Sequence, residues 1–481
     1  MPETSEERKK FYITTPIYYV NSDPHIGSAY TTIAADVLAR LHRQLGEDVF
    51  FLAGTAEHGT KVSESAQAAG KDPKSFVDEM SQRFIKTWVH LEITNDDFIR
   101  TTEDRHTEAV NSFFLKLKES GHIYEGDYEG WYCVGCESFK KESELVNGLC
   151  PLHNRKPEWV KEKNWFFKLS EYGPILLEKI ESGELGIYPQ GRRNEVVSFI
   201  KQGLEDIAIS RRTADFALPL PWDKEQTIYV WLDELFNYCT AIGYVNDREK
   251  VDKYWPVDFH FIGKDIIKFH CIIWPALLLA IGEKVPKGIF ANGFLTVNGQ
   301  KMSKSLGNVI DPNEMVEKYG VDALRYFLLR EVPFGQDGDV SEEKLKSRYT
   351  SDLANGLGNL FSRVTNMVEK YMNGDVGEFA HSPKDLAPAT ESILNLAFTD
   401  ALLKIWEEVA WANQLIDKSK PWELFKTKPE KVKELLIQLV ALLYDMSLRL
   451  APLMPETADK MRQALESEMI VKADPLFAKL E

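Results

Sequence analysis

Residues 11–20 read Phe-Tyr-Ile-Thr-Thr-Pro-Ile-Tyr-Tyr-Val, and the chain that follows them decides the fold. The stretch is aromatic and β-branched, which predicts a strand. Asn21-Ser22-Asp23-Pro24 is a turn, and His25-Ile26-Gly27-Ser28 comes next. Ile33, Val37, Leu38 and Leu41 then recur at helical spacing up to a stop at Gly46. Asp48–Leu52 reads as the next strand. A β-α-β unit of this kind implies a parallel sheet. Its helix opens at His25 and Gly27, where free N–H groups face outward and a glycine lets a phosphate approach the backbone.

A second phosphate-handling element lies far downstream. Residues 301–305 are Lys-Met-Ser-Lys-Ser, followed by Leu306-Gly307-Asn308. Two ammonium groups flank small hydroxyl residues, and such a loop can wrap a polyphosphate.

Together these elements resemble the signature pair of class I aminoacyl-tRNA synthetases. Further segments narrow the resemblance to the methionyl-tRNA synthetase family: Thr15-Pro16-Ile17-Tyr18-Tyr19-Val20-Asn21, Trp231-Leu232-Asp233, Gly263-Lys264-Asp265-Ile266, Phe269-His270 and Val297-Asn298-Gly299-Gln300. The resemblance covers nearly the whole chain. It implies an α/β architecture in which a Rossmann-like parallel-sheet catalytic domain is split by a zinc-knuckle insert and followed by an α-helical bundle that binds the anticodon. The expected boundaries are 1–120 and 220–300 for the catalytic halves, 121–219 for the insert, 301–345 for the lysine loop and stem-contact region, and 346–481 for the bundle.

The resemblance also implies a reaction. The family activates methionine with ATP, releases pyrophosphate and transfers the aminoacyl group to tRNA(Met), initiator tRNA included. Positioning and neutralisation of phosphate charge supply most of such catalysis. By family analogy His25, Lys301 and Lys304 act on the phosphates with Mg2+ accompanying ATP. Gly27, Ser28 and Ser303 line the same region. Gly263 and Asp265 match the ribose contacts. Arg211, with Arg212 adjacent, matches a catalytic arginine. Ile17, Tyr19, Trp231, Tyr238, Ile266 and His270 match an amino-acid pocket, whose aromatic walls suit a thioether.

Four positions depart from that pattern. Ser28 stands where the family has a second histidine, and Asn292 replaces another histidine. Ala56, in Gly54-Thr55-Ala56-Glu57-His58-Gly59, stands where the family has the aspartate that holds the substrate ammonium. Glu234, in Trp231-Leu232-Asp233-Glu234, replaces an alanine. One acid is missing and one is gained, so Glu234 is expected to relocate the lost carboxylate and joins the candidate methionine contacts. The alternative is that it faces solvent. These departures keep two rival functions open: a weakened or altered-specificity paralogue, and a non-catalytic tRNA-binding relative.

The metal reading comes from spacing. Cys133-Val-Gly-Cys136 and Cys150-Pro-Leu-His153 give C-x2-C-x13-C-x2-H, two chelating turns suited to tetrahedral zinc. Four protein ligands, Cys133, Cys136, Cys150 and His153, make one closed structural Zn2+ site per chain. The remaining cysteines, Cys239 and Cys271, are expected in the core. In the family context the knuckle belongs near the acceptor end of tRNA.

Beyond about Leu345 the pattern is helical, with Leu360, Val364, Met367 and Val368 on one face. Asn359-Leu360-Phe361-Ser362-Arg363 and Pro421-Trp422 resemble the family's readers of the CAU anticodon. Asn359 and Arg363 can read base edges, and an exposed Trp422 can stack on a base.

Composition sets the outer bounds. A chain of 481 residues exceeds one domain, and 44% apolar residues fit an ordinary globular protein. The longest apolar run, Ile272–Ile281, is interrupted by Pro275 and too short to span a membrane. The polar start MPETSEERKK argues against a signal peptide. Five cysteines, an odd number, fit a reducing cytoplasm. A net charge of −16 disfavours a generic nucleic-acid binder while allowing one basic face. A chain reaching Glu481 without an appended dimerising domain is expected to be monomeric.

Overall fold

In the computed structural model, which describes residues 8–133, 138–151, 154–212, 215–302, 307–377, 379 and 387–480, the opening stretch forms two strands. These are β1 (Lys10–Thr14) and β2 (Tyr18–Tyr19). Pro16 is the reason for the break, because it has no N–H to give to a ladder. Helix α1 (Ile26–Gln44) follows, then β3 (Asp48–Ala56), which runs parallel to both earlier strands. The register pairs Phe11 with Val49 and Tyr19 with Ala56. Gly54 is required in β3, since a Cβ there would lie 2.2 Å from the carbonyl oxygen of Ile99.

The chain divides into two compact units. The first comprises residues 1–24, 47–87 and 95–292. It adds β4 (Asp97–Arg100) against β3, and helix α2 (Asp104–Glu119). Next comes an antiparallel excursion built from β5 (Ile123–Cys133), β6 (Ser138–Lys140) and β7 (Glu158–Phe167). Strand β8 (Gly186–Tyr188) belongs to the main sheet, and β9 (Ile207–Ala208) closes the excursion by pairing with β7. Helices α3 (Val230–Leu235) and α4 (Asn237–Thr240) precede β10 (Phe259–Gly263) and β11 (Gly288–Asn292). The main sheet runs β2-β3-β1-β10-β11-β8, parallel throughout. Tyr12, Leu52, Phe113, Leu232, Phe236, Ile262 and Trp274 form its core. Near-continuous burial along β1 and β3 is what a parallel sheet covered on both faces demands.

The excursion is held differently. Trp131 pairs with Trp159 across β5 and β7, their rings edge to face at 5.1 Å, and Tyr124 stacks on Phe166. Lys161 reaches Glu129 at 2.8 Å on an exposed face. Aromatic cross-strand pairs stabilise such a hairpin more than its surface ion pairs do.

The second unit comprises residues 25–46, 88–94 and 293–481. Strands β12 (Leu295–Val297), β13 (Gln300–Lys301) and β14 (Gly338–Val340) form a small sheet with β12 in the middle. Helices α5 (Val321–Glu331), α6 (Asn359–Met372), α7 (Phe398–Ser419), α8 (Pro429–Leu450) and α9 (Pro455–Leu465) supply most of the remainder. Leu360, Val364, Met367 and Val368 of α6 are all buried, as their spacing predicts.

One ion pair lies at the centre of this unit. Asp36 of α1 and Arg325 of α5 are both wholly buried and meet at 2.7 Å. Arg40 and both Thr94 donors also reach the Asp36 carboxylate. Arg325 donates further to the carbonyls of Leu91, Pro452 and Leu453. Burial alone would raise the Asp36 pKa, but Arg325 and then Arg40 outweigh it and hold it below the ordinary carboxylate value. A depressed pKa contributes stability that is present above the unfolded value and lost as pH falls through the folded one. Replacing Arg325 with Met, which removes the wholly buried partner and leaves Asp36 with Arg40 and the Thr94 donors, should lower unfolding free energy by up to about 3–5 kcal/mol. A urea midpoint unchanged in R325M would contradict this.

Candidate active site

In a parallel sheet, ligands collect at the carboxyl ends of the strands. Thr14, Ala56, Gly263 and Asn292 mark those ends in the first unit. Helix α3 brings a cluster of side chains there. Trp231 lies flat on Phe269, with ring centres 4.3 Å apart, and meets the edge of Tyr19 at 5.8 Å. Ile17 and Ile266 are half-buried against the same core.

Asp233 anchors this helix. His58 Nδ1 lies 2.7 Å from one carboxylate oxygen and His106 Nε2 lies 2.8 Å from the other. The far nitrogen of His106 meets the Thr240 hydroxyl at 3.2 Å. Burial would push the Asp233 pKa up, yet the two imidazoles, His58 foremost, bring it down to about 2. The neighbouring carboxylate of Glu57 is equally enclosed. It accepts from Thr55 at 2.8 Å, from Arg100 at 2.7 and 3.0 Å, and from the Thr102 hydroxyl.

From His270, which follows Phe269 in the chain, runs a network of buried polar rings whose tautomers follow from their partners. Trp274 Nε1 can only donate, and it points at His260 Nε2 at 3.3 Å. The His260 proton is therefore on Nδ1, donated to the Thr14 hydroxyl at 2.7 Å. His270 Nδ1 donates to the Ile266 carbonyl at 3.1 Å, which leaves Nε2 to accept from the Tyr238 hydroxyl at 2.8 Å. Burial lowers the His270 pKa to about 4 and the His260 pKa further, so both rings are neutral at pH 7. Ile17, Tyr19, Trp231, Tyr238, Ile266 and His270 thus fall in one region with aromatic walls and an uncharged polar floor.

Glu234, on the same helix, is 4% exposed and does not face solvent. Ala56 is fully buried beside Tyr19. Gly263 ends β10 in register with Asn292, and its bare Cα leaves room for the Asp265 carboxylate, whose Oδ1 would lie 2.5 Å from a Cβ there. Of the two adjacent arginines, Arg211 is buried, 4.2 Å over the Tyr229 ring and donating to the Ser210 carbonyl, while Arg212 is exposed.

The phosphate-handling elements are in the second unit. His25 caps α1: its Nδ1 accepts from the Gly27 N–H at 3.1 Å, so the proton is on Nε2. Burial lowers its pKa, which keeps the ring neutral with one N–H to donate. Ser28 completes a capping box, accepting from the His25 N–H at 3.0 Å and donating to its carbonyl at 2.7 Å. The serine hydroxyl therefore braces His25. Met302 lies beside Gly27, 3.5 Å from where a Cβ would stand, and the Ile26 N–H donates to the Ile310 carbonyl at 3.1 Å. These contacts bring the start of α1 against both ends of the lysine loop. Lys301 ends strand β13, and Ser303 and Lys304 lie outside the described residues.

For the metal, Cys133 and Cys150 are both buried. Cys150 heads a tight turn, with Asn154 N–H donating to its carbonyl at 2.8 Å. Cys136 and His153 lie outside the described residues, among which no group of three metal-ligating side chains occurs.

In the helical region Asn359 opens α6, exposed, with Arg363 one turn later. Arg363 pairs with Asp417 at 2.6 Å and reaches Asn413. Trp422 is 44% exposed, which rules out core packing. Sequence reasoning missed the roles of His106, Arg100 and Phe269. The first two act through partners far along the chain; Phe269 could have been found, as it adjoins His270.

Comparison with known proteins agrees with this arrangement. The family model described as "tRNA synthetases class I (M)" matches residues 11–156 and 140–365. The methionine–tRNA ligase of Thermotoga maritima is 45% identical, over 98% of this chain and 80% of that protein. That of Streptomyces coelicolor is 44% identical, over 96% of this chain and 90% of that protein. The structure of Mycobacterium tuberculosis methionyl-tRNA synthetase in complex with methionyl-adenylate superposes with a TM-score of 0.91 at 39% identity, covering 98% of this chain and all of that one. The parallel sheet and the helical C-terminal region accord with this likeness, and the chain belongs to the class I methionyl-tRNA synthetases.

Proposed function

We propose that this chain activates methionine with ATP and transfers it to tRNA(Met), initiator tRNA included, and that Trp231, Tyr19, Ile17, Ile266, Tyr238 and His270 receive the methionine side chain. The observation that carries this reading is the neutral Tyr238–His270 pair, whose histidine directly follows Phe269, the ring on which Trp231 lies flat. An uncharged floor and aromatic walls suit a polarisable thioether and disfavour a charged side chain. The departures at Ser28 and Ala56 motivate a weakened paralogue or a non-catalytic relative, but the near-full-length relatives that are methionine–tRNA ligases do not favour either.

The first step is attack of the methionine carboxylate oxygen on the α-phosphorus of ATP. The P–O bond to the β-phosphate breaks, and pyrophosphate leaves with the electron pair. In the second step a ribose hydroxyl at the 3′ end of the tRNA attacks the activated carbonyl, and AMP leaves. His25 donates from Nε2 to the phosphates as charge builds, with Gly27 allowing close approach. Lys301 and Lys304 neutralise the leaving pyrophosphate, the Ser303 hydroxyl donates a hydrogen bond to it, and Mg2+ arriving with ATP would share its charge. Arg211 acts as the catalytic arginine. Gly263 and Asp265 take the ribose, a carboxylate being able to accept from two hydroxyls. Asn359, Arg363 and Trp422 read the CAU anticodon, Arg363 exchanging Asp417 for a base edge. The enzyme works in the cytoplasm as a monomer; no helix among the described residues is long and apolar enough to cross a membrane.

Zinc fits the chemistry of the excursion. Two buried thiols, one of them heading a tight turn, are suitable donors, with Cys136 and His153 completing four. Such a closed set would fix the tip of the hairpin and take no part in the reaction.

Three outcomes test the reading. ATP–pyrophosphate exchange surveyed over all amino acids should run with methionine, and His25→Ala should slow it on the order of 10²–10³-fold, the loss seen when one donor to developing charge is removed. Exchange with another amino acid in preference would overturn the pocket assignment. Metal analysis should find one zinc per chain, absent from the Cys133→Ser, Cys150→Ser double variant. The pH dependence follows from His270. Its folded pKa of about 4 lies below the unfolded value of about 6.5, so only the unfolded state binds this proton between them. Stability should fall as pH drops from about 6.5 to about 4, and His270→Gln should flatten that slope in thermal melts.

A further inference from the structure

We infer that Asn366 and Lys370 extend the RNA-binding face of α6, Lys370 by holding a phosphate of the anticodon loop and Asn366 by reading the edge of a base. The inference rests on the anticodon reading proposed above and adds two residues to it. Asn359, Arg363, Asn366 and Lys370 recur at steps of four, three and four along the chain. On a helix that spacing puts them in one stripe. Leu360, Val364, Met367 and Val368 are buried on the other side of α6, which turns the stripe outward. Asn359, Asn366 and Lys370 are exposed, and Arg363 is partly so.

Contacts with the following helices place this stripe beside Trp422. Arg363 meets Asp417 of α7 at 2.6 Å and Asn413 at 3.3 Å. Two turns further along α6, Tyr371 packs on Phe425 with ring centres 4.7 Å apart. Phe425 directly follows the short helix Pro421–Leu424, which carries the exposed Trp422. The part of α6 between Arg363 and Tyr371 therefore runs alongside the segment from Asp417 to Phe425. Asn366 and Lys370 belong to that part. Glu369, also exposed there, turns to the far side and accepts from the Lys472 N–H at 3.2 Å. From Arg363 to Lys370 the helix rises about 10 Å, roughly the length of three stacked nucleotides.

The side chains suit a single-stranded loop. Among the described residues Lys370 forms no ion pair, and its ammonium lies 5.4 Å from the centre of the Tyr371 ring. An ammonium that rests beside a ring instead of a carboxylate keeps its charge available to a phosphate. Among the described residues the Asn366 amide has no hydrogen bond, and it can both donate and accept, as a base edge requires. The indole of Trp422 offers a stacking surface. A stripe of amides and cations beside an exposed indole carries no apolar residue for a partner helix to cover. A strand with one base on Trp422 and another at Arg363 passes over Asn366 and Lys370.

Binding of an anticodon stem-loop RNA to the full chain, measured over a range of salt concentrations, tests this. One RNA carries the CAU triplet and a second carries a changed triplet. ATP–pyrophosphate exchange without tRNA reports that each variant is folded. Lys370→Gln should weaken both RNAs by the same factor and lower the slope of log affinity against log salt by about 0.7–1, the share of one phosphate contact. Asn366→Ala should weaken the CAU loop by roughly 5–150-fold and the changed loop much less, with the salt slope kept. Loss of the Tyr371 contact alone would not move the slope, so a slope unaltered in Lys370→Gln overturns the phosphate role. Equal loss on both RNAs, or CAU affinity within about twofold of wild type, overturns the role of Asn366. Arg363→Ala and Trp422→Ala separate this from the reading beneath it. If they too leave CAU binding unchanged, the anticodon reading fails as well; if they weaken it, only the extension to Asn366 and Lys370 fails.

Discussion

A single carboxylate, that of Asp233, positions the amino-acid side of the site. It is buried and ionised, and an imidazole from each side saturates it. His58 comes from the loop after β3 and His106 from α2, so one residue of α3 is tied to two other elements at once. The flanking residues inherit that rigidity. Trp231 lies two positions before Asp233 and Glu234 one after, and on a helix of six residues the Asp233 anchor adds to the packing of Leu232 and Leu235 in fixing where they stand. Asp233 need not touch a ligand for its loss to loosen every wall built on α3.

The second unit solves the same problem with the opposite balance of charge. Asp36 and Arg325 are buried together; Asp36 also accepts from Arg40 and from the Thr94 N–H and hydroxyl, and Arg325 donates to three backbone carbonyls. A buried pair so completely satisfied contributes little net energy compared with apolar packing, but it admits only one arrangement of the segments it joins. Those segments include α1, whose first residue is preceded by His25. The capping box between His25 and Ser28 then sets the ring itself, and the choice of tautomer turns a helix cap into a donor.

Much of this was legible in the sequence, for reasons tied to distance along the chain. The β-α-β unit could be read because strand, turn and helix signals are local. Pro16 gave the break between β1 and β2 in principle, yet the single-strand reading of 11–20 overran it, since periodicity continues across the interruption. The aromatic pocket was visible through short segments such as Trp231-Leu232-Asp233 and Phe269-His270. What could not be read was the pairing of His106 with Asp233 or of Arg100 with Glu57. Both link residues separated by more than forty positions, with no local pattern to announce them. The cap formed by Ser28 was equally hidden, because a serine three residues into a helix looks the same whether it braces a neighbour or contacts a nucleotide.

The substitutions at 56 and 234 acquire meaning only in this setting. Read alone, alanine for an acid suggests a lost function, and glutamate for alanine suggests a clash or an exposed surface. The fold removes the second possibility by burying Glu234 on the pocket helix. A pocket that holds a zwitterion is constrained by the sign and number of its charges more tightly than by the strand or helix that carries them.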